Sequence, residues 1–106
     1  MMVFSDRVAV PIHVLVRNLD GESVLLNLNT EKYFGLDKTG TQMFETVTRA
    51  PNVEAAFEEL SGEFEVEPET LRNHLVELLD QLLENGLLQV VPAQAVSANV
   101  ESIPAI

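Results

Sequence analysis

The sequence predicts an α+β fold of the winged helix-turn-helix kind, a three-stranded antiparallel meander followed by three helices. Three observations carry this. Two alternating apolar runs, 12–18 and 24–28, flank an Asp-Gly pair. A third short run, Lys32-Tyr33-Phe34-Gly35-Leu36, ends on Asp37, a good helix N-cap. Helical periodicity then runs from Lys38 to Asn85, broken at Ala50-Pro51 and at Ser61-Gly62.

Residues 1–10 are of mixed polarity and lead to Pro11, so a flexible N-terminal segment is expected ahead of a domain over 11–91. Residues 12–18 alternate, with Ile12, Val14 and Val16 on one face and His13, Leu15 and Arg17 on the other. Asp20-Gly21 suits a type I′ turn, whose central residues both need positive φ. Val24, Leu26 and Leu28 alternate along the returning strand, and Asn29-Thr30-Glu31 make a polar turn. The third run is too short for a deep central strand. It reads as an edge, with unpaired N–H and C=O groups.

Asp37 caps a first helix over 38–49, with Met43, Phe44 and Val47 as its apolar stripe. Gly40 in its first turn is unfavourable by roughly 1 kcal/mol against alanine, which implies a close approach to the sheet. Asn52 caps a second helix with Val53, Ala56, Phe57 and Leu60 on one side, ending at Ser61-Gly62. Pro68 opens the third helix, acidic Glu67 and Glu69 lie at its positive dipole end, and Gly86 closes it with Leu87 folding back on Leu82. On that helix Leu71, Leu75, Leu78 and Leu82 form a core stripe, while Val76, Leu79 and Leu83 swing away from it and Arg72 shares their flank. The apolar arc is wider than one packing partner requires. Either it meets two elements of its own fold or part of it lines a groove. Leu87 to Val91 reads as a last short strand, and 92–106 as a loose C-terminal tail.

Composition narrows the function. A chain of 106 residues forms one domain. No apolar run reaches the ~20 residues of a membrane span, and the N-terminus lacks the charge and apolar core of a signal peptide. The absence of cysteine excludes disulfides, thiolate catalysis and Cys-type zinc sites, and fits a cytoplasmic protein. Six Lys+Arg against seventeen Asp+Glu give a net charge of -11, a field that repels nucleic-acid backbones and anionic membranes.

Catalytic chemistry has no visible seat. His13 and His74 lie in different elements without metal-ligand spacing. Glu58, Glu59, Glu63, Glu65, Glu67 and Glu69 form a charge run around a helix junction, without the spacing of a calcium loop. Gly35 and Gly40 make no phosphate-binding motif. The expectation is a non-enzyme with no catalytic residue, metal or cofactor. A winged helix reads DNA with basic side chains, yet the third helix offers Arg72 as its only strong cation beside Glu77, Asp80 and Glu84. DNA binding therefore fails on electrostatics.

The order and spacing of three segments resemble the PqqD family, small proteins of pyrroloquinoline quinone biosynthesis. The segments are Gly21-Glu22-Ser23-Val24-Leu25-Leu26-Asn27-Leu28; Tyr33-Phe34-Gly35-Leu36-Asp37-Lys38-Thr39-Gly40 with Phe44 following; and Leu75, Leu78, Leu79, Leu82, Gly86, Leu87 and Leu88. The resemblance implies a peptide chaperone, or RiPP recognition element, that binds the leader of a ribosomally made precursor peptide. It presents that leader to a modifying enzyme, a radical SAM enzyme or a peptidase. The leader is expected to add as a strand to the third strand and rest against the third helix. The expected site is Lys32, Tyr33, Phe34, Gly35 and Leu36 as the edge, Val76, Leu79 and Leu83 as the wall, and Arg72 as partner of an acidic leader residue. The net charge favours a neutral or basic leader. The alternatives are a structural domain that dimerises by edge pairing or swapping, and a winged-helix DNA binder.

Overall fold

In the computed structural model, which describes residues 3–91, the chain runs β1 (Arg7–Ala9), β2 (Val14–Leu19), β3 (Glu22–Asn27), β4 (Lys32–Leu36), α1 (Lys38–Arg49), α2 (Val53–Glu63), α3 (Pro68–Glu84) and β5 (Gln89–Val91). The tail expected over 92–106 lies outside the described residues. The three-stranded meander in the order β2-β3-β4, followed by three helices, is the expected architecture. Asp20 and Gly21 both take positive φ, 55° and 85°, which folds β2 onto β3 with Leu19 opposite Glu22.

The inward face of β3 is the reverse of its apolar pattern, whereas Val14 and Val16 of β2 share one inward face. Cross-strand partners share a face, and Leu25, fully buried, stands opposite Val16 and Phe34. The inward face of β3 is thus Ser23, Leu25 and Asn27, all buried, while Val24 and Leu26 point outward and Leu28 is exposed. Of Ile12, Val14 and Val16 only Val14 is buried, and Ile12 is wholly exposed. The inversion has a physical cause. Ser23 Oγ shares a 2.7 Å hydrogen bond with Thr41 Oγ1 of α1, and the Asn27 side chain is likewise hydrogen-bonded. Polar groups satisfied in this way occupy core positions at little cost.

The helix bounds follow local chemistry. Asp37 Oδ1 accepts from Gly40 N at 2.8 Å, and Asn52 Oδ1 accepts from Ala55 N at 2.7 Å. A Cβ on Gly40 would lie 3.3 Å from Asp37 Oδ1 and 3.4 Å from Leu36 Cδ2, so the first turn of α1 does sit tight against the end of β4. α2 continues to Glu63, past the expected stop at Ser61-Gly62. At the end of α3, Gly86 N donates to Leu83 O and Leu87 N to Leu82 O, the two bonds of a Schellman motif, with Gly86 at φ 70°. A Cβ there would meet Asn27 Nδ2 at 2.9 Å. Gly86→Ala is therefore expected to lower stability by about 1–2 kcal/mol, read as a fall in the urea midpoint with an unchanged slope.

On α3 the buried residues are Leu71, Leu75, Leu79 and Leu82. Leu79 belongs to the core and Leu78 is only half-buried, the reverse of the sequence reading. The helix packs against α2, and Leu79 shares one buried cluster with Leu25 of the sheet.

Residues 7–9, expected as part of an irregular leader, form a strand instead. β1 pairs antiparallel with β5, Val8 opposite Val90, and Val8 is completely buried. Phe4 O and Asp6 O accept from Glu54 N and Val53 N at 2.8 and 2.9 Å, so the N-terminal segment also satisfies two orphan donors at the start of α2. Arg49 of α1 meets Glu59 of α2 at 2.7 Å in solvent. That hydrogen bond holds the Glu59 carboxyl below its ordinary value, so the pair's small contribution is present at neutral pH and lost as pH falls through the lowered pKa.

Candidate functional site

β4 is the outermost strand of its sheet. One side pairs with β3, Leu25 opposite Phe34 and Ser23 opposite Leu36, and among the described residues no strand pairs with the other. Such an edge carries a row of free donors and acceptors. Its sequence alternates across the sheet plane. Phe34 and Leu36 turn inward, half-buried and buried, and Lys32 lies on that side at the exposed end. Tyr33 and Gly35 turn outward, with Tyr33 74% exposed and open space where a Gly35 Cβ would be. Tyr33 continues an outward row with Leu26 and Leu15, so the open face of the sheet beside the edge is apolar.

Both ends of β4 are held. At its C-terminal end Leu36 O accepts from Thr41 Oγ1 at 3.4 Å, and Asp37 caps α1. At its N-terminal end the turn takes its shape from Asn27, whose Oδ1 accepts from Asn29 N at 2.9 Å and Thr30 N at 3.3 Å, with Glu31 at φ 61°. The C-terminal turn of α3 lies against this end of the sheet. Asn27 Nδ2 donates to Asn85 O at 2.9 Å, and His13 Nε2 lies 3.2 Å from Gly86 O. An edge strand fixed at both ends, next to a helix terminus, is a rigid template for an extended backbone.

The expected site residues divide. Lys32, Tyr33, Phe34, Gly35 and Leu36 form the edge together. Val76 and Leu83 keep part of their surface open, and Leu83 packs against the core. Leu79 has no exposed surface, so it backs a wall rather than facing a partner. The Arg72 guanidinium lies over the Phe4 ring at 4.3 Å and the Phe57 ring at 4.9 Å, rings that meet edge-on at 5.9 Å. It is therefore engaged with the N-terminal segment and α2. Sequence reasoning weighed His13 only as a metal ligand and gave no role to Asn27, though their partners lie 73 and 58 residues away, and it passed over Phe4, whose partner ring is on α2. Asn27 did carry a signal, a lone amide followed two residues later by a polar turn.

Comparison with known proteins fits this geometry. The pattern of the family described as coenzyme PQQ synthesis protein D (PqqD) matches residues 22–88, from the start of β3 to the end of the α3 cap. The solved structure of "TbiB1 in Complex with the TbiA(beta) Leader Peptide" is 28% identical, with a TM-score of 0.71 over 76% of this chain and 94% of that one. "Lasso peptide synthetase B1 complexed with the leader peptide" is 22% identical and shares the fold, with a TM-score of 0.68 over 78% of this chain and 98% of that one. No curated protein matches the sequence. Among the described residues no helix is long and apolar enough to cross a membrane.

Proposed function

This chain belongs to the PqqD family, and we propose on that footing that it is a non-catalytic peptide-binding module for the leader of a ribosomally made precursor peptide. The leader adds as a strand to β4 through Lys32 to Leu36 and rests against α3. The observation that carries this reading is the unpaired, two-end-anchored edge of β4, in a chain whose fold matches a protein solved with a leader peptide. Backbone bonds along the edge supply affinity, and alternate side chains supply specificity. Peptide residues on the inward side meet Phe34 and the half-open Val76 and Leu83, backed by Leu79. Those on the outward side meet Tyr33 and the gap at Gly35. Arg72 sits over two rings and offers its N–H groups to an acidic peptide residue.

The net charge of -11 favours a neutral or basic peptide. The module then presents the bound peptide in the cytoplasm to a modifying enzyme, a radical SAM enzyme or a peptidase. The same open edge suits a second copy of the chain, but two copies of this charge repel. Selecting a binder from a random-sequence display library, then titrating it into 15N-labelled protein, tests the reading. Amide signals of Lys32 to Leu36 are expected to move while light scattering reports a monomer. A peptide that moves signals only elsewhere, or a dimer that buries β4 and ignores peptide, overturns it.

A further inference from the structure

Asn27 is 3% exposed on the middle strand, and both ends of its amide are hydrogen-bonded. Its oxygen accepts from Asn29 N and Thr30 N, which shapes the turn that launches β4, and its nitrogen donates to Asn85 O at the C-cap of α3. Lys32, the first residue of β4, is its cross-strand neighbour. One side chain thus ties the turn before β4 to the C-cap of α3. The α3 terminus leaves it no slack, since Gly86 Cα has no room for a Cβ, which would stand 2.9 Å from Asn27 Nδ2. The Schellman bonds satisfy Leu82 O and Leu83 O, and Asn85 O finds its donor in Asn27.

We propose that Asn27 is the positioning residue of the peptide groove, setting the β4 edge in register with the last turn of α3. This rests on the peptide-binding reading above. Nothing in it requires Asn27 to touch the peptide. Its two hydrogen-bonding ends can be separated by substitution. Asn27→Asp keeps the acceptor for Asn29 N and Thr30 N, but replaces the donor to Asn85 O with an anionic oxygen that repels that carbonyl. The turn survives and the link to α3 is cut.

The chain has no cysteine, so spin labels placed on Lys32→Cys and Gln81→Cys, both exposed in the parent protein, report the distance across the groove directly. The expected result is a distance distribution that is narrow in the parent and broad with N27D. In the unlabelled proteins, N27D should bind the display-selected peptide about tenfold more weakly, because the edge and the α3 terminus then hold their binding register only a fraction of the time. Val53→Ala, which trims a buried side chain at the start of α2 and makes no hydrogen bond to this joint, should lower thermal stability while leaving distance and affinity unchanged. Should N27D fail to fold, Asn27→Ser takes its place. Its hydroxyl still accepts from the turn but does not reach Asn85 O. The proposal is overturned if N27D keeps the parent distribution and affinity, or if V53A weakens binding as much as N27D does. If no selected peptide binds the parent protein, the peptide reading falls and takes the groove role of Asn27 with it. The distance readout then describes a joint of the fold alone.

Discussion

Leu79→Ala is expected to destabilise the protein by about 2–5 kcal/mol, the usual cost of truncating a fully buried leucine. Leu79 has no exposed surface and lies in the same cluster as Leu25, Leu75 and Leu82. A domain of this size has only ~5–15 kcal/mol in total, so the variant sits near the threshold of unfolding at physiological temperature. Leu83→Ala, half-buried on the same helix, should cost clearly less. Urea titrations of the two variants check the ranking. Equal, small losses would mean that Leu79 lies on an open wall instead of behind it.

The second large effect concerns the edge itself. Successive amides of a strand point to opposite sides within the sheet. Tyr33→Pro and Phe34→Pro therefore remove donors on opposite sides of β4, one from the ladder with β3 and one from the open edge. Removing the ladder donor should destabilise the fold, because proline there also forces the paired strand apart. Removing the edge donor should leave the melting temperature near that of the parent. It should weaken the selected peptide by about tenfold to a hundredfold, since a peptide carbonyl is then buried without a partner. Two variants with equal stability and equal affinity would contradict strand addition at β4.

Much of this architecture could be read along the chain because its signals are local. Asp37 and Asn52 cap α1 and α2 through bonds to residues three positions on, and Asp20-Gly21 and Gly86 take the positive φ their turns demand. What escaped reading depends on partners far away. Arg7 to Ala9 become a strand only because residues 80 or more positions later lie beside them. Three residues of mixed polarity carry no period that announces this. The sheet's inward face was hidden because Ser23 and Asn27 look like surface residues until Thr41 and Asn85 supply their hydrogen bonds.

The site divides along the same line. The edge at Lys32 to Leu36 follows from its length and its place between a polar turn and a helix cap. The helix wall was less legible. Leu78 and Leu79 are adjacent on the apolar arc, and the packing of the helix, which its own period does not carry, buries Leu79 and leaves Leu78 half-buried. Arg72 read as a free cation, yet the rings of Phe4 and Phe57 that hold it come from two other elements.

Amide hydrogen exchange at β4, with and without the selected peptide, tests the central claim most directly. The account predicts that the edge-facing amides among Lys32 to Leu36 exchange rapidly in the free protein and become strongly protected when peptide binds, while the ladder amides shared with β3 are slow in both states. Protection that appears only on α1, α2 or the outward face of β2, with the β4 edge still exchanging freely at saturation, would contradict it.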